Sequence, residues 1–175
     1  MNYSAPIASG LQKVVVDRFA ADVARQVSYI PGADLIPIIA RLGGRISTQN
    51  VLDFNRIPAG SIRIDGPAQF EIFLAAHTGP VRDRFTIAHE LGHYVLHYLY
   101  ANRNGTKVQR LEAQRYGSGP VEWEANWFAA GFLMPVADFR ERFTALRGSL
   151  AALAAEFGVS LEAARIRAES IGLTA

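Results

Sequence analysis

The strongest constraint on the fold is an amphipathic stretch from Asp83 to about Tyr100, in which apolar residues recur at helical spacing. This apolar stripe consists of Phe85, Ala88, Leu91, Val95 and Leu99. His89 and His93 lie four positions apart in the same stretch. Residues with that spacing on a helix point about 40° apart and lie on neighbouring turns. The stretch therefore predicts a helix that buries one side and directs two imidazoles toward a common point.

The two histidines belong to an H-E-x-x-H pattern that ends in Leu91-Gly92-His93. Two imidazoles and one carboxylate are the usual protein ligands of a catalytic zinc ion, and they leave one position for water. Glu90 points about 100° away from His89, where it can act as a general base without being a ligand. Gly92 removes a side chain beside the site, so another helix can come close. The alternative interpretation is a surface helix with two satisfied histidines.

A third ligand is expected from Glu122 or Glu124. Glu122 shares a helical face with small or polar residues, which suits a helix packed closely against Gly92 and the histidines. Glu124 shares its face with Trp127 and Phe128. The pattern favours Glu122 and leaves both acids open, since either could also be a solvated acid favoured by the helix dipole.

Two further polar residues are candidates for supporting the site. Asn126 lies one turn beyond Glu122, where its amide oxygen could accept the free N–H of a ligand histidine and fix the tautomer. His97 points about 80° away from His89 in an α-helix, so it could contact substrate, stabilise an oxyanion or be a helix-end histidine. Four tyrosines are possible hydrogen-bond donors to a transition state, and the sequence does not choose among Tyr94, Tyr98, Tyr100 and Tyr116.

The remaining segments predict further helices around a small sheet. Apolar periodicity and turn residues predict helices over 11–27, 34–42, 120–134, 136–146 and, as a pair around Gly158, 149–172. Alternating apolar residues predict antiparallel strands over Ser61–Asp65 and Gln69–Ala76, with a further short strand over 45–50. The polar segment 102–119 is predicted to be a loop. The expected fold class is therefore α+β with a small antiparallel sheet.

Composition excludes several classes of protein. Half of the 175 residues are hydrophobic and 19% are charged, which supports a packed core. The formal net charge of +2 is too small to indicate nucleic-acid binding by itself. The chain has no cysteine, which excludes disulfides and cysteine zinc sites. No apolar signal core and no uncharged apolar stretch of about 18 residues occurs, so we expect a cytoplasmic protein without membrane association.

Three motifs, taken together, resemble the ImmA/IrrE family of bacterial metallopeptidases. The first is 84–97, which contains the H-E-x-x-H pattern. The second is 122–130, followed by Leu133-Met134-Pro135, and the third is 153–167. The likeness covers most of residues 34–172 and is weak before Arg82. Three motifs in this order are far more specific than H-E-x-x-H alone.

The resemblance implies a fold and a set of ligands. It implies a zincin-like metallopeptidase domain over 1–147 and a helix-turn-helix-like segment over 148–175, packed on that domain or appended to it. It implies that His89, His93 and Glu122 bind the metal and that Glu90 is the base. Zinc is the expected ion, with manganese or another divalent ion as the alternative. Asn126 stands where many glutamate-ligand zincins have an aspartate, and a neutral amide orients a histidine less strongly.

The resemblance also implies a regulatory endopeptidase. Members of the family typically cleave or antagonise helix-turn-helix repressors, which releases mobile-element, stress or DNA-damage genes. We therefore expect a zinc-dependent endopeptidase whose partner is a repressor or an antitoxin-like protein. The alternative is a non-proteolytic binding module with a structural or vestigial metal site, against which the intact Glu90 argues. The sequence indicates no oligomeric state.

The C-terminal segment resembles a helix-turn-helix but lacks the charge of a DNA-reading element. Between 149 and 175 three acidic and two basic residues give a net charge of −1. An element that reads DNA is usually basic, because phosphate contacts supply most of its affinity. We therefore expect this segment to pack against the core or dock a protein partner, and we expect no direct DNA binding.

Overall fold

The computed structural model describes residues 2–49, 60–113 and 119–173. Its four strands form one sheet. The strands are β1 (Gly44–Gln49), β2 (Ser61–Gly66), β3 (Gln69–Ala75) and β4 (Leu111–Ala113). Their order in the sheet is β1-β3-β2-β4. β1 pairs with β3 in parallel, and the other two pairs are antiparallel. The predicted α+β class is confirmed, and the sheet is mixed rather than wholly antiparallel.

The chain connections explain the mixed pairing. A short turn joins β2 and β3, so these neighbours are antiparallel, and Ile62 lies opposite Ile72 in a pair that is fully buried. β1 is separated from β3 by the whole of β2, so no hairpin sets its direction, and it pairs in parallel with Ile46 opposite Ile72. β4 lies inside the segment predicted to be a loop, because three residues are too few to show an alternating pattern.

Helices make up most of the rest of the described chain. They are α1 (Lys13–Gln26), α2 (Ile36–Arg41), α3 (Pro80–Gly92), α4 (Ala101–Arg103), α5 (Pro120–Leu133), α6 (Val136–Ala145), α7 (Leu150–Phe157) and α8 (Leu161–Ser170). A π-helical segment over His93–Tyr100 joins α3 to α4. The predicted helices are confirmed, with ends shifted by up to three residues. None of the helices in the described ranges has the length and apolar character needed to cross a bilayer.

Close packing of α5 against α3 depends on Gly92. A Cβ atom at this position would lie 3.2 Å from the Cα of Ala125 and 3.2 Å from the Cβ of Phe128. These distances are tight even for a methyl group, so a larger side chain would push the two helices apart. Around this contact Leu91, Phe128 and Phe132 are at most 1% exposed. The backbone of α5 is therefore held directly beside the end of α3.

The two C-terminal helices share the hydrophobic core with the helices before them. Phe157 of α7 packs against Phe139 of α6, with ring centroids 5.3 Å apart. Arg167 of α8 donates hydrogen bonds to the backbone oxygen of Met134 at 2.8 Å and to Asp17 Oδ1 at 2.6 Å. These contacts join α8 to the end of α5 and to α1. The predicted division of the chain at residue 147 stays a prediction.

We expect Arg167→Leu to lower the free energy of unfolding by about 3 kcal/mol, because it leaves the Asp17 carboxylate largely buried without its cation. The Arg167 and Asp17 side chains are 3% and 18% exposed. Arg165→Leu on the same helix is the matched control, since its ion pairs with Glu162 and Glu169 face water and contribute little. Urea unfolding followed by circular dichroism measures both variants. Equal stabilities would contradict this role of Arg167.

Candidate metal centre

Three side chains from neighbouring helical segments converge on one point. His89 lies in the last turn of α3, His93 at the start of the π-helical segment and Glu122 in the first turn of α5. His89 Nε2 lies 3.2 Å from His93 Nε2 and 3.2 Å from Glu122 Oε2. Glu122 Oε1 lies 3.5 Å from His93 Nε2. Two ligands of a tetrahedral ion bound at about 2.1 Å lie roughly 3.4 Å apart, so these separations match one shared ion.

Hydrogen bonds on the outer side of each ring determine where the protons lie. His89 Nδ1 is 2.9 Å from Asn126 Oδ1, an acceptor, so His89 carries its proton on Nδ1. His97 Nε2 is 2.9 Å from Glu124 Oε2, so His97 carries its proton on Nε2. The Nδ1 of His97 is then an acceptor, and it lies 3.0 Å from the Nδ1 of His93. His93 therefore also carries its proton on Nδ1.

This arrangement of protons fits a bound cation. The Nε2 lone pairs of His89 and His93 and the carboxylate of Glu122 face one another, with their ligand atoms all within 4.8 Å. Three acceptors at such distances repel one another unless a cation lies between them. Imidazole and carboxylate ligands are those that zinc and other divalent transition metals bind. The His-His-Glu group can therefore hold a divalent metal ion.

Glu90 lies beside this group in a cleft of about 360 Å³. The residue is only 2% exposed, and its negative charge acts on His89. The cleft is lined by Gly60, Arg82, Phe85, Thr86, His89, Glu90, Glu122 and Asn126. A buried carboxylate and the metal-ligand group thus face the same concave surface, which is the arrangement that water activation at a metal requires.

The structure separates the two acids of α5 that the sequence leaves open. Glu122 lies with the two histidines and lines the cleft. Glu124 is directed toward the N-terminal segment, where it accepts hydrogen bonds from the amides of Ser9 at 2.8 Å and Gly10 at 2.9 Å. Its third partner is His97. The helical pattern favours Glu122 because of its small neighbours, and this is the acid that the structure places with the histidines.

The π-helical segment places His97 differently from the α-helical expectation. Its i→i+5 hydrogen bonds put more residues in each turn than an α-helix has. The four residues from His93 to His97 therefore complete slightly less than one turn, whereas in an α-helix they would exceed one turn. The centroids of the two imidazole rings lie 5.0 Å apart. His97 is 1% exposed and is not among the residues that line the cleft. It lies behind His93 rather than toward a substrate.

Burial and neighbouring charges give the two ligand histidines different pKa values. Burial lowers the pKa of His89, but the hydrogen bond with Glu122 and the charges of Glu90 and Glu122 outweigh it, so the pKa is raised above 6.5. Burial lowers the pKa of His93, and the charges of His89 and His97 lower it further, to well below 6.5. His93 is therefore neutral at pH 7, and His89 is the histidine whose proton competes with a metal ion.

The tyrosines considered as transition-state donors have other contacts where the structure describes them. The hydroxyls of Tyr94 and Tyr98 bond to backbone groups of other segments. The ring of Tyr100 packs edge-on against Phe19. Tyr116 lies outside the described residues. None of the three described tyrosines is among the residues that line the cleft.

Sequence reasoning missed several residues that shape the site. Phe85 is predicted for the buried stripe but lines the cleft together with Thr86. Both precede His89 by one helical turn, so the i−4 and i−3 spacing is a signal that could have identified them. Ser9 and Gly10 lie 115 and 114 positions before the acid that accepts their hydrogen bonds. No local pattern indicates a contact over that separation.

Comparison with known proteins identifies a family and a similar fold. A peptidase family model described as the IrrE N-terminal-like domain matches residues 53–169. Among solved structures, a Mycobacterium tuberculosis transcriptional regulator is similar in fold, with 20% sequence identity and a TM-score of 0.60. The match covers 86% of this chain and 45% of that one, so this chain spans less than half of that regulator. No curated protein gives a significant match.

We expect the purified protein to bind about one divalent metal ion per chain and His93→Ala to lose it, because the variant lacks one of three converging ligands. His77→Ala is the matched control, since it removes an exposed histidine in the turn after β3. Metal content after dialysis is measured by plasma mass spectrometry. Equal metal content in the wild type and both variants would contradict the assignment of this site.

The raised pKa of His89 predicts how metal affinity depends on pH. A proton on His89 excludes the metal, so affinity should be constant above that pKa and should fall as pH decreases through it. The decline should begin above pH 6.5, the ordinary value for histidine, and reach roughly tenfold per pH unit for one competing proton. Chelator competition between pH 5.5 and 8.5 measures it. A decline confined to pH values below 6.5 would show that His89 is not the titrating ligand.

Proposed function

Because the chain belongs to the peptidase family with the IrrE N-terminal-like domain, we propose that it is a zinc-dependent endopeptidase that cleaves a specific regulatory protein. The observation that carries the proposal is the convergence of His89, His93 and Glu122 beside the buried carboxylate of Glu90. A structural zinc site is usually closed by four protein ligands, whereas a catalytic site has three and an open position. The group found in the described residues has three members and opens onto a cleft.

Zinc is the proposed ion because two imidazoles and one carboxylate are its usual ligands in catalytic sites, and manganese is the alternative. A zinc ion held by His89, His93 and Glu122 would polarise the peptide carbonyl and lower the pKa of a water molecule. Glu90 takes the proton from the attacking water and passes it to the leaving amine. Asn126 orients the His89 ring through its Nδ1–H during these steps.

Two mostly apolar grooves adjoin the cleft and support a polypeptide substrate. Both meet the cleft at Phe85. The groove of about 580 Å³ also includes Val81 and Val159, and the groove of about 440 Å³ also includes Trp127 and Ile166. A segment bound in the cleft would place neighbouring apolar side chains in them. Strand β1, which carries no strand on its outer side within the described residues, offers a second means of binding an extended segment.

A helix-turn-helix repressor or an antitoxin-like protein is the substrate class that we propose. The resemblance to the ImmA/IrrE family supports this class, because its members typically cleave or antagonise such repressors. The similar Mycobacterium tuberculosis structure is described as a transcriptional regulator. A partner of this kind places the reaction in the cytoplasm. Cleavage would then release the genes that the repressor silences.

We expect Glu90→Gln to reduce cleavage by at least about 100-fold, because the amide keeps the size of the side chain but cannot accept the proton. The metal content should stay unchanged, since Glu90 is not a member of the ligand group. Proteomic labelling of new N-termini in cells that express the wild type or the variant identifies the cleaved protein. Purified substrate then gives the rate. Glu141→Gln, on the exposed side of α6, is the matched control.

The outcomes of this experiment distinguish an endopeptidase from a non-proteolytic binding module. Cleavage that persists in a Glu90→Gln preparation free of wild-type enzyme would overturn the proposed mechanism. A repressor that stays full-length with the metal-loaded wild type but loses its affinity for DNA would identify a binding module instead. A substrate cut by the wild type and by Glu141→Gln, but not by Glu90→Gln, would support the endopeptidase.

A further inference from the structure

The N-terminal strap, defined as residues 2–12, is anchored at both ends. Near its start, Ser4 forms a parallel bridge to strand β4. Near its end, the amides of Ser9 and Gly10 each donate a hydrogen bond to a different carboxylate oxygen of Glu124. The strap is thereby attached to α5 at a position only two residues from a proposed metal ligand.

Glu124 connects the strap to the metal centre through His97. Its side chain is 3% exposed, and it reaches His93 by way of the two hydrogen bonds that His97 makes, at 2.9 and 3.0 Å. Its two oxygens accept hydrogen bonds from the backbone amides of Ser9 and Gly10, and one of them also accepts from His97. Three N–H donors around one buried acid fit a carboxylate, whose charge they compensate.

A hydrogen-bonded chain that ends in a carboxylate has one consistent direction. Glu124 can only accept, so the proton of His97 lies on Nε2 and its Nδ1 must accept. His93 then donates from Nδ1, which leaves its Nε2 lone pair free. If the proton of His97 moved to Nδ1, His93 would have to carry its own proton on Nε2, where it blocks the metal. The carboxylate thus selects the metal-binding tautomer of His93.

We propose that the N-terminal strap is a positioning element of the metal centre. The amides of Ser9 and Gly10 fix Glu124, and Glu124 acts through His97 to keep His93 open to the ion. This inference deepens the proposed metallopeptidase function and rests on it. His97 and Glu124 are not in the metal-ligand group and do not line the cleft, so they are positioning residues. Through these two residues, the conformation of the strap affects the affinity of the centre for a metal ion.

Zinc affinity of the purified full chain, measured by competition with a chromophoric chelator, tests the coupling. Ser9→Pro removes one amide donor to Glu124, and Ser9→Thr is the matched control that keeps both the amide and a hydroxyl. Glu124→Gln can donate from its amide nitrogen and so permits the reversed chain. We expect both Ser9→Pro and Glu124→Gln to bind zinc about tenfold more weakly. Ser9→Thr and Glu141→Gln should bind as the wild type does.

The tautomers themselves give a measurement that a merely structural role would not change. Imidazole nitrogen NMR of the wild type should show His97 protonated on Nε2 and unprotonated on Nδ1. In metal-free Glu124→Gln, His93 should shift toward the form protonated on Nε2. A variant that is only less stable would keep the wild-type tautomers in its folded population. The wild-type spectrum decides the matter if a variant does not fold.

The possible failures are distinguishable. Folded Ser9→Pro and Glu124→Gln proteins that bind zinc as tightly as the wild type would overturn the positioning role and leave the proposed function intact. His97 protonated on Nδ1 in the zinc-loaded wild type would do the same. A wild-type protein that takes up no zinc would overturn both the proposed function and this inference.

Discussion

The contact between α3 and α5 at Gly92 is the interaction on which the rest of the structure depends. Because no side chain separates the helices there, the first turn of α5 comes within reach of both histidines. Glu122 and Glu124, two residues apart on that helix, then reach the histidines from different sides. The first lies with His89 and His93 as the third possible metal ligand, and the second accepts a hydrogen bond from His97. One close approach of two backbones therefore sets the geometry of the whole centre.

The two ligand histidines are supported in physically different ways. His89 lies at the partly exposed edge of the site, where the neutral amide of Asn126 accepts its Nδ1–H, and the pKa of His89 is raised. His93 is fully buried and is held by a chain that ends in the Glu124 carboxylate, and its pKa is lowered. The buried ligand is kept ready for the ion at neutral pH. The partly exposed histidine is the one whose protonation responds to the pH of the solution.

Features that depend on local periodicity could be predicted from the sequence, and features that depend on distant contacts could not. The stripe around His89 predicted a helix, and small neighbours favoured Glu122, the acid that the structure places with the histidines. The direction of β1 depends on a partner strand beyond the next one along the chain, which no local pattern specifies. The contact of Ser9 with α5 joins residues more than a hundred positions apart. The position of His97 depends on a π-helical segment, which the 3.6-residue spacing of an α-helix does not predict.

The π-helical segment His93–Tyr100 has a consequence for how this region can change during evolution. A wide turn accommodates one residue more than an α-helical turn of the same height, so loss of a residue would let the segment relax to an α-helix. The residues after the segment could keep their places, because the α-helical turn has the same height, but the direction of His97 relative to His93 would change. A relative with one residue fewer between these two histidines would therefore be expected to lack the hydrogen bond that joins them here.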